Sequence, residues 1–96
     1  MTIWSLRSVP GISATLRKQI VGFINQVRAL DLKKLPSVSE TIDWARVLVL
    51  LQSSELDHET VKDTLNVLLK YEADIETTMP QVTTFVAKAG RQGVFG

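Results

Sequence analysis

The stretch Pro36-Ser-Val-Ser-Glu-Thr-Ile-Asp-Trp-Ala-Arg46, running into the wholly apolar Val47–Leu51, leaves this chain few ways to fold. Proline has no amide donor and restricts Leu35 to extended geometry, so Pro36 keeps a preceding helix from running on. Ser37-x-x-Glu40 has the spacing of a capping box. The serine oxygen takes the third-position amide, and the glutamate reaches back to the cap's own amide. Such a box is worth about 1 kcal/mol. Ser39 is a competing cap two residues on, and spacing alone does not choose between them. Behind the cap, Trp44, Val47, Leu48 and Leu51 recur on one side at helical steps, with Ile42, Ala45 and Val49 on the other. A helix apolar on nearly all sides must be covered on nearly all sides, which predicts a second helix at the centre of a bundle.

The flanking segments supply the cover. Pro10-Gly11 sets up a turn, which makes residues 1–11 a lead-in whose apolar contacts are Trp4 and Leu6. Trp4 either packs onto the bundle or belongs to an interface with something else. Ser13 can cap a first helix with a stripe of Leu16, Ile20, Phe23, Ile24, Val27 and Leu30 opposite Arg17, Lys18, Asn25 and Arg28. Ser53-Ser54 ends the second helix. Asp57 caps a third, with Leu56 and Val61 placed as a hydrophobic staple. Its stripe of Val61, Leu65, Leu68 and Ile75 predicts a helix to about Glu76. Pro80 can start a last short helix bearing Val82, Phe85, Val86 and Ala89, and Gly90 is its expected stop. The expected class is all-α: three main helices plus a short C-terminal one over residues 12–90, then a fraying tail at 91–96.

Composition narrows the function. A chain of 96 residues makes one domain that buries roughly 60–65 % of its unfolded surface. The net charge of +1 has both signs spread along the chain, which gives no case for nucleic acid or a lipid surface. Cysteine is absent, excluding disulfides and thiolate metal sites, and this fits a cytoplasmic chain. There is no signal-peptide run at the N-terminus and no stretch long enough to span a bilayer. No phosphate loop is present. His58, the single histidine, excludes an ordinary zinc site and leaves no nucleophile–base pair away from itself; its place in a first helical turn reads as structural. Glu55, Asp57 and Glu59 lack the ordered spacing and central glycine of a calcium loop, so capping accounts for them better. Arg28, Lys33 and Lys34 read as cations complementing the end of the first helix. No catalytic residue and no metal site is expected.

One resemblance runs through these pieces. Val9-Pro-Gly-Ile-Ser13, Leu30-Asp-Leu-Lys33, Pro36–Arg46, Leu56-Asp-His-Glu-Thr-Val-Lys-Asp-Thr-Leu65 and Leu68-Leu-Lys-Tyr-Glu-Ala-Asp-Ile75 follow one another as in a known domain. Across Val9–Ile75 the chain resembles the C-terminal helical lid of MoxR-type AAA+ ATPases. Ser39-Glu-Thr-Ile-Asp-Trp44 is its most specific part and is similar to the CoxD-like branch. The resemblance implies a lid that closes over ATP and Mg²⁺ held by a separate core. It implies as partners that AAA+ core, the neighbouring ATPase subunits and a von Willebrand factor type A protein. It places Pro36, Ser37, Ser39, Glu40 and Arg46 toward the nucleotide, only in company with the core.

Two departures qualify it. The ATPase core that should precede the lid is not in these 96 residues, so Met1–Ser8 reads as the end of a linker. Many AAA+ lids also carry a sensor arginine near the start of the helix after the proline loop, where this chain has Glu40. An acidic residue does not stabilise phosphate charge as arginine does. Arg46 could substitute from a shifted helix or pair with Asp43. The other reading is a free-standing helical module that binds a partner helix in a groove, with no nucleotide involved.

Overall fold

Apolar residues at three- and four-residue steps, divided by capping residues, produce helices in the order read from the sequence. The computed structural model describes Leu6 and residues 9–95, with side chains placed as far as Ala89. The elements are α1 (Ala14–Val27), α2 (Val38–Leu50), α3 (His58–Leu68), α4 (Glu72–Thr78), a 3₁₀ turn (Met79–Gln81) and α5 (Val82–Phe95). No strand occurs among the described residues, and the class is all-α. Of the lead-in, Leu6 and Val9 are buried in the core, while Trp4 lies outside the described residues.

Two helix pairs make the bundle. α1 packs along α5, α2 packs on α3, and α3 also meets α5. The pairs are joined by a run of aromatic rings. Phe23 of α1 stands 5.4 Å from Trp44 of α2 and 6.1 Å, edge-on, from Phe85 of α5. Both separations fall in the range where tilted rings attract. The Trp44 indole is fully buried and donates to Thr64 Oγ1 at 2.8 Å, while that hydroxyl donates to the Thr60 carbonyl. The indole N–H is thus satisfied across the α2–α3 contact.

Polar side chains of α1 tie down the connections. Ser13 caps α1 through the Leu16 amide and also donates to the Ser54 carbonyl. Gln19 accepts from the Leu56 amide at 2.7 Å, and Gln26 donates to the Phe85 carbonyl at 2.9 Å. Pro10 and Gly11 turn the chain as expected. Gly11 adopts φ +79°, and a Cβ there would meet Val49 Cγ1 at 3.3 Å, so the turn rests against α2.

Four expectations are corrected. α2 is not central: its buried residues are Glu40, Thr41, Trp44, Ala45 and Leu48, while Val38, Leu50 and Leu51 are exposed, Leu50 by 80 %. Trp44, Ala45 and Leu48 are covered and Ile42 and Val49 pack against the core in part, while Val38, Leu50 and Leu51 are left exposed. α1 ends at Val27, short of Leu30 and well before Pro36, so the proline is not what stops it. The third helix breaks at Leu69, which turns extended (φ −112°, ψ 130°) and remains buried. Ile75 therefore belongs to the separate α4. The C-terminal helix is not short. Its backbone continues through Gly90 to Phe95, giving 14 residues, as many as α1. Packing along α1 supports a helix that glycine alone would weaken.

Candidate functional site

The start of α2 is where segments distant in sequence meet. Ser37 is the cap: its Oγ accepts from the Glu40 amide at 3.2 Å, and its own amide donates to Glu40 Oε1 at 2.9 Å. The capping box is complete, and Ser39 stands exposed beside it. Thr41 adds a hydroxyl bond to the Ser37 carbonyl. Pro36 is buried, and its carbonyl accepts from Arg28 Nη1 at 2.9 Å.

Glu40 is only 6 % exposed. Its second oxygen makes no hydrogen bond among the described residues, but faces Lys70 Nζ at 3.6 Å and Lys34 Nζ at 3.8 Å. The Glu40 carboxyl is held below its ordinary range. The Ser37 amide is the chief cause, burial opposes it, and the Ser37 hydroxyl and the two ammonium groups assist. Beneath the loop lies Asp74 of α4, 2 % exposed, whose oxygens accept from the Lys33 amide at 2.8 Å and the Lys34 amide at 3.1 Å. One buried carboxylate therefore shapes the loop into α2, and another caps the helix that follows.

Pro36, Ser37, Ser39 and Glu40 are together at this end of the bundle, but Arg46 is not with them. Six residues beyond Glu40, it is turned by about 120° around the helix axis and displaced along it by about 9 Å. Arg46 is exposed on the outer face of α2, where it lines an apolar groove with Val9, Pro10, Val49 and Leu50. Arg28, Lys33 and Lys34 lie past the last turn of α1. Arg28 serves the Pro36 carbonyl, and the other two contribute backbone amides to Asp74. His58 is exposed beside Asp57 and Glu59, each at 4.0 Å, and Asp57 caps α3 through the Thr60 amide. No group of acidic or histidine side chains able to hold a metal ion occurs among the described residues.

Sequence reasoning missed Asp74 and Lys70. Asp74 looked like one more polar position in a long third helix, and only the break at Leu69 turns it under the loop. Lys70 lies in that break. No spacing in the chain signals either contact.

This arrangement does not fit a phosphate group at the α2 start. The capping box already takes the Glu40 amide, and a buried carboxylate occupies the place where a phosphate would need positive charge. Comparison with protein-family models, with curated proteins and with solved structures finds no match to this chain.

Proposed function

We propose that this chain is the lid of a MoxR-type, CoxD-like AAA+ ATPase, closing as a rigid block over a nucleotide held by a separate core. One observation carries the reading. Three segments of the ordered set that resembles that lid, Leu30–Lys33, Pro36–Arg46 and Leu68–Ile75, meet through the Lys33 amide on Asp74 and through Lys70 beside Glu40. A lid transmits closure only if the loop that meets the core keeps its shape, and these buried carboxylates supply that stiffness. Because Glu40 caps the helix and Arg46 is elsewhere, the lid acts by packing on the core and on the adjacent subunit rather than by touching phosphate.

The alternative, a free-standing helical interaction module, draws support from the exposed apolar residues of α2 and the groove beside them. The reading frame upstream of Met1 separates the two. An in-frame ATPase core with a phosphate loop is the result expected for a lid. An independent start at Met1 with no such core would reject the lid and leave the module.

A further inference from the structure

The shape of the loop ahead of α2 depends on a lightly held segment. Residues 70–81 run between two core anchors, Leu69 and Val82, both buried. Within that span α4 has 7 residues, too few to be stable as an isolated helix. The buried residues of the span are Asp74 and Thr78, both polar, and its apolar cover is Ile75 and Met79, each only partly buried. α1 by contrast buries Leu16, Ile20, Phe23, Ile24 and Val27. A segment that buries little apolar surface opens at lower free energy than the core around it.

Polar contacts to the loop fasten the span. Asp74 accepts from the Lys33 amide at 2.8 Å and the Lys34 amide at 3.1 Å, and Lys70 stands 3.6 Å from Glu40. Hydrogen bonds to an ionised carboxylate are the stronger class, so the two amides on Asp74 outweigh the exposed Lys70 ammonium. We infer that residues 70–81 form a strap that opens as a unit, pivoting at Leu69 and Val82, while the rest of the bundle stays packed. Leu69 is already extended, so α3 need not unwind for the strap to move. Opening withdraws Asp74 from both amides and Lys70 from Glu40, and leaves residues 31–35 slack. The capping box survives, because Ser37 and Glu40 satisfy each other within the first turn of α2. The loop therefore has two states, and a partner that contacts it in one shape only shifts the balance between them. The strap rests on these contacts and holds for a lid and for a free-standing module alike.

Amide hydrogen exchange of the whole chain, followed by NMR in low concentrations of denaturant, tests it. The amides of Lys33, Lys34, Ile75 and Met79 should share one opening constant, roughly tenfold or more above that of the α1 amides. Its denaturant dependence should be smaller, because less surface is exposed. Ile20→Val weakens the core alone, so it should speed exchange in α1 by about two- to tenfold and leave the four strap reporters unchanged. Asp74→Asn loses one charge-assisted bond and should speed the four reporters by about ten- to a hundredfold. It destabilises the closed form against every open one, so α1 should follow by the same factor. Reporters that exchange at the α1 constant, or different constants for Lys33–Lys34 and for Ile75 with Met79, would overturn the strap. So would an Ile20→Val variant that speeds all four, or an Asp74→Asn variant that speeds none. The wild type and Ile20→Val decide the matter even where Asp74→Asn does not fold.

Discussion

Glu40 shows how one side chain is tuned for structure at a position that the lid resemblance also turns toward a nucleotide. Its carboxylate accepts from the Ser37 amide and faces two ammonium groups, so the ionised form is favoured in the folded state. The folded pKa lies below the ordinary 4.5. The stability this contributes is therefore present above the unfolded pKa and is lost as pH falls through the folded one. Glu40→Gln keeps the capping geometry and deletes the charge. Chemical denaturation of both proteins should show the wild type more stable at pH 7, with the difference shrinking below about pH 4.5. A difference independent of pH would mean that the charge contributes nothing. Trp44 makes the opposite kind of contribution, through volume. Fully buried between Phe23 and the Thr64 hydroxyl, it should cost about 3–5 kcal/mol when replaced by alanine. An unchanged denaturation midpoint would contradict its place in the core.

At the scale of elements, the end of α2 is strained. The Gln52 amide bonds the Val49 carbonyl and the Ser53 amide bonds the Leu48 carbonyl, the paired bonds of a Schellman stop. That motif needs a left-handed residue, and here it is Gln52 at φ +60° rather than glycine. A side chain costs about 1–2 kcal/mol in that conformation. Gln52→Gly should accordingly raise stability by about 1 kcal/mol, after glycine's greater freedom in the unfolded chain is subtracted. Thermal unfolding of the variant measures it, and a lowered midpoint would show that the Gln52 side chain has a contact that offsets the strain. The break between α3 and α4 has a different origin. Extended backbone at Leu69 leaves its side chain buried and lets α4 bring Asp74 beneath the Lys33–Lys34 loop.

For the whole molecule, the question is what a bundle of this kind does with nucleotide. These 96 residues contain no phosphate-loop motif and the α2 start is occupied by its own carboxylate, so titration of the chain with ATP and Mg²⁺ should give no hydrolysis and at best very weak binding. Micromolar affinity would contradict the reading of a lid that acts by packing alone. No described helix is long and apolar enough to cross a membrane. Local signals in the sequence determined the all-α class, the Ser13 and Asp57 caps, the Pro10-Gly11 turn and the burial of Trp44, and narrowed the α2 cap to Ser37 or Ser39, because capping and helical periodicity act over three or four residues. Only the tertiary structure decided which side of α2 is covered, where the third helix breaks, how far α5 runs, and that Asp74 and Lys70 join the loop ahead of α2 while Arg46 faces a groove. Those outcomes depend on contacts between residues some 30 to 40 positions apart, such as Lys33 with Asp74 and Glu40 with Lys70. Periodicity within one helix says which residues want cover, and only the packed neighbours settle which of them receive it.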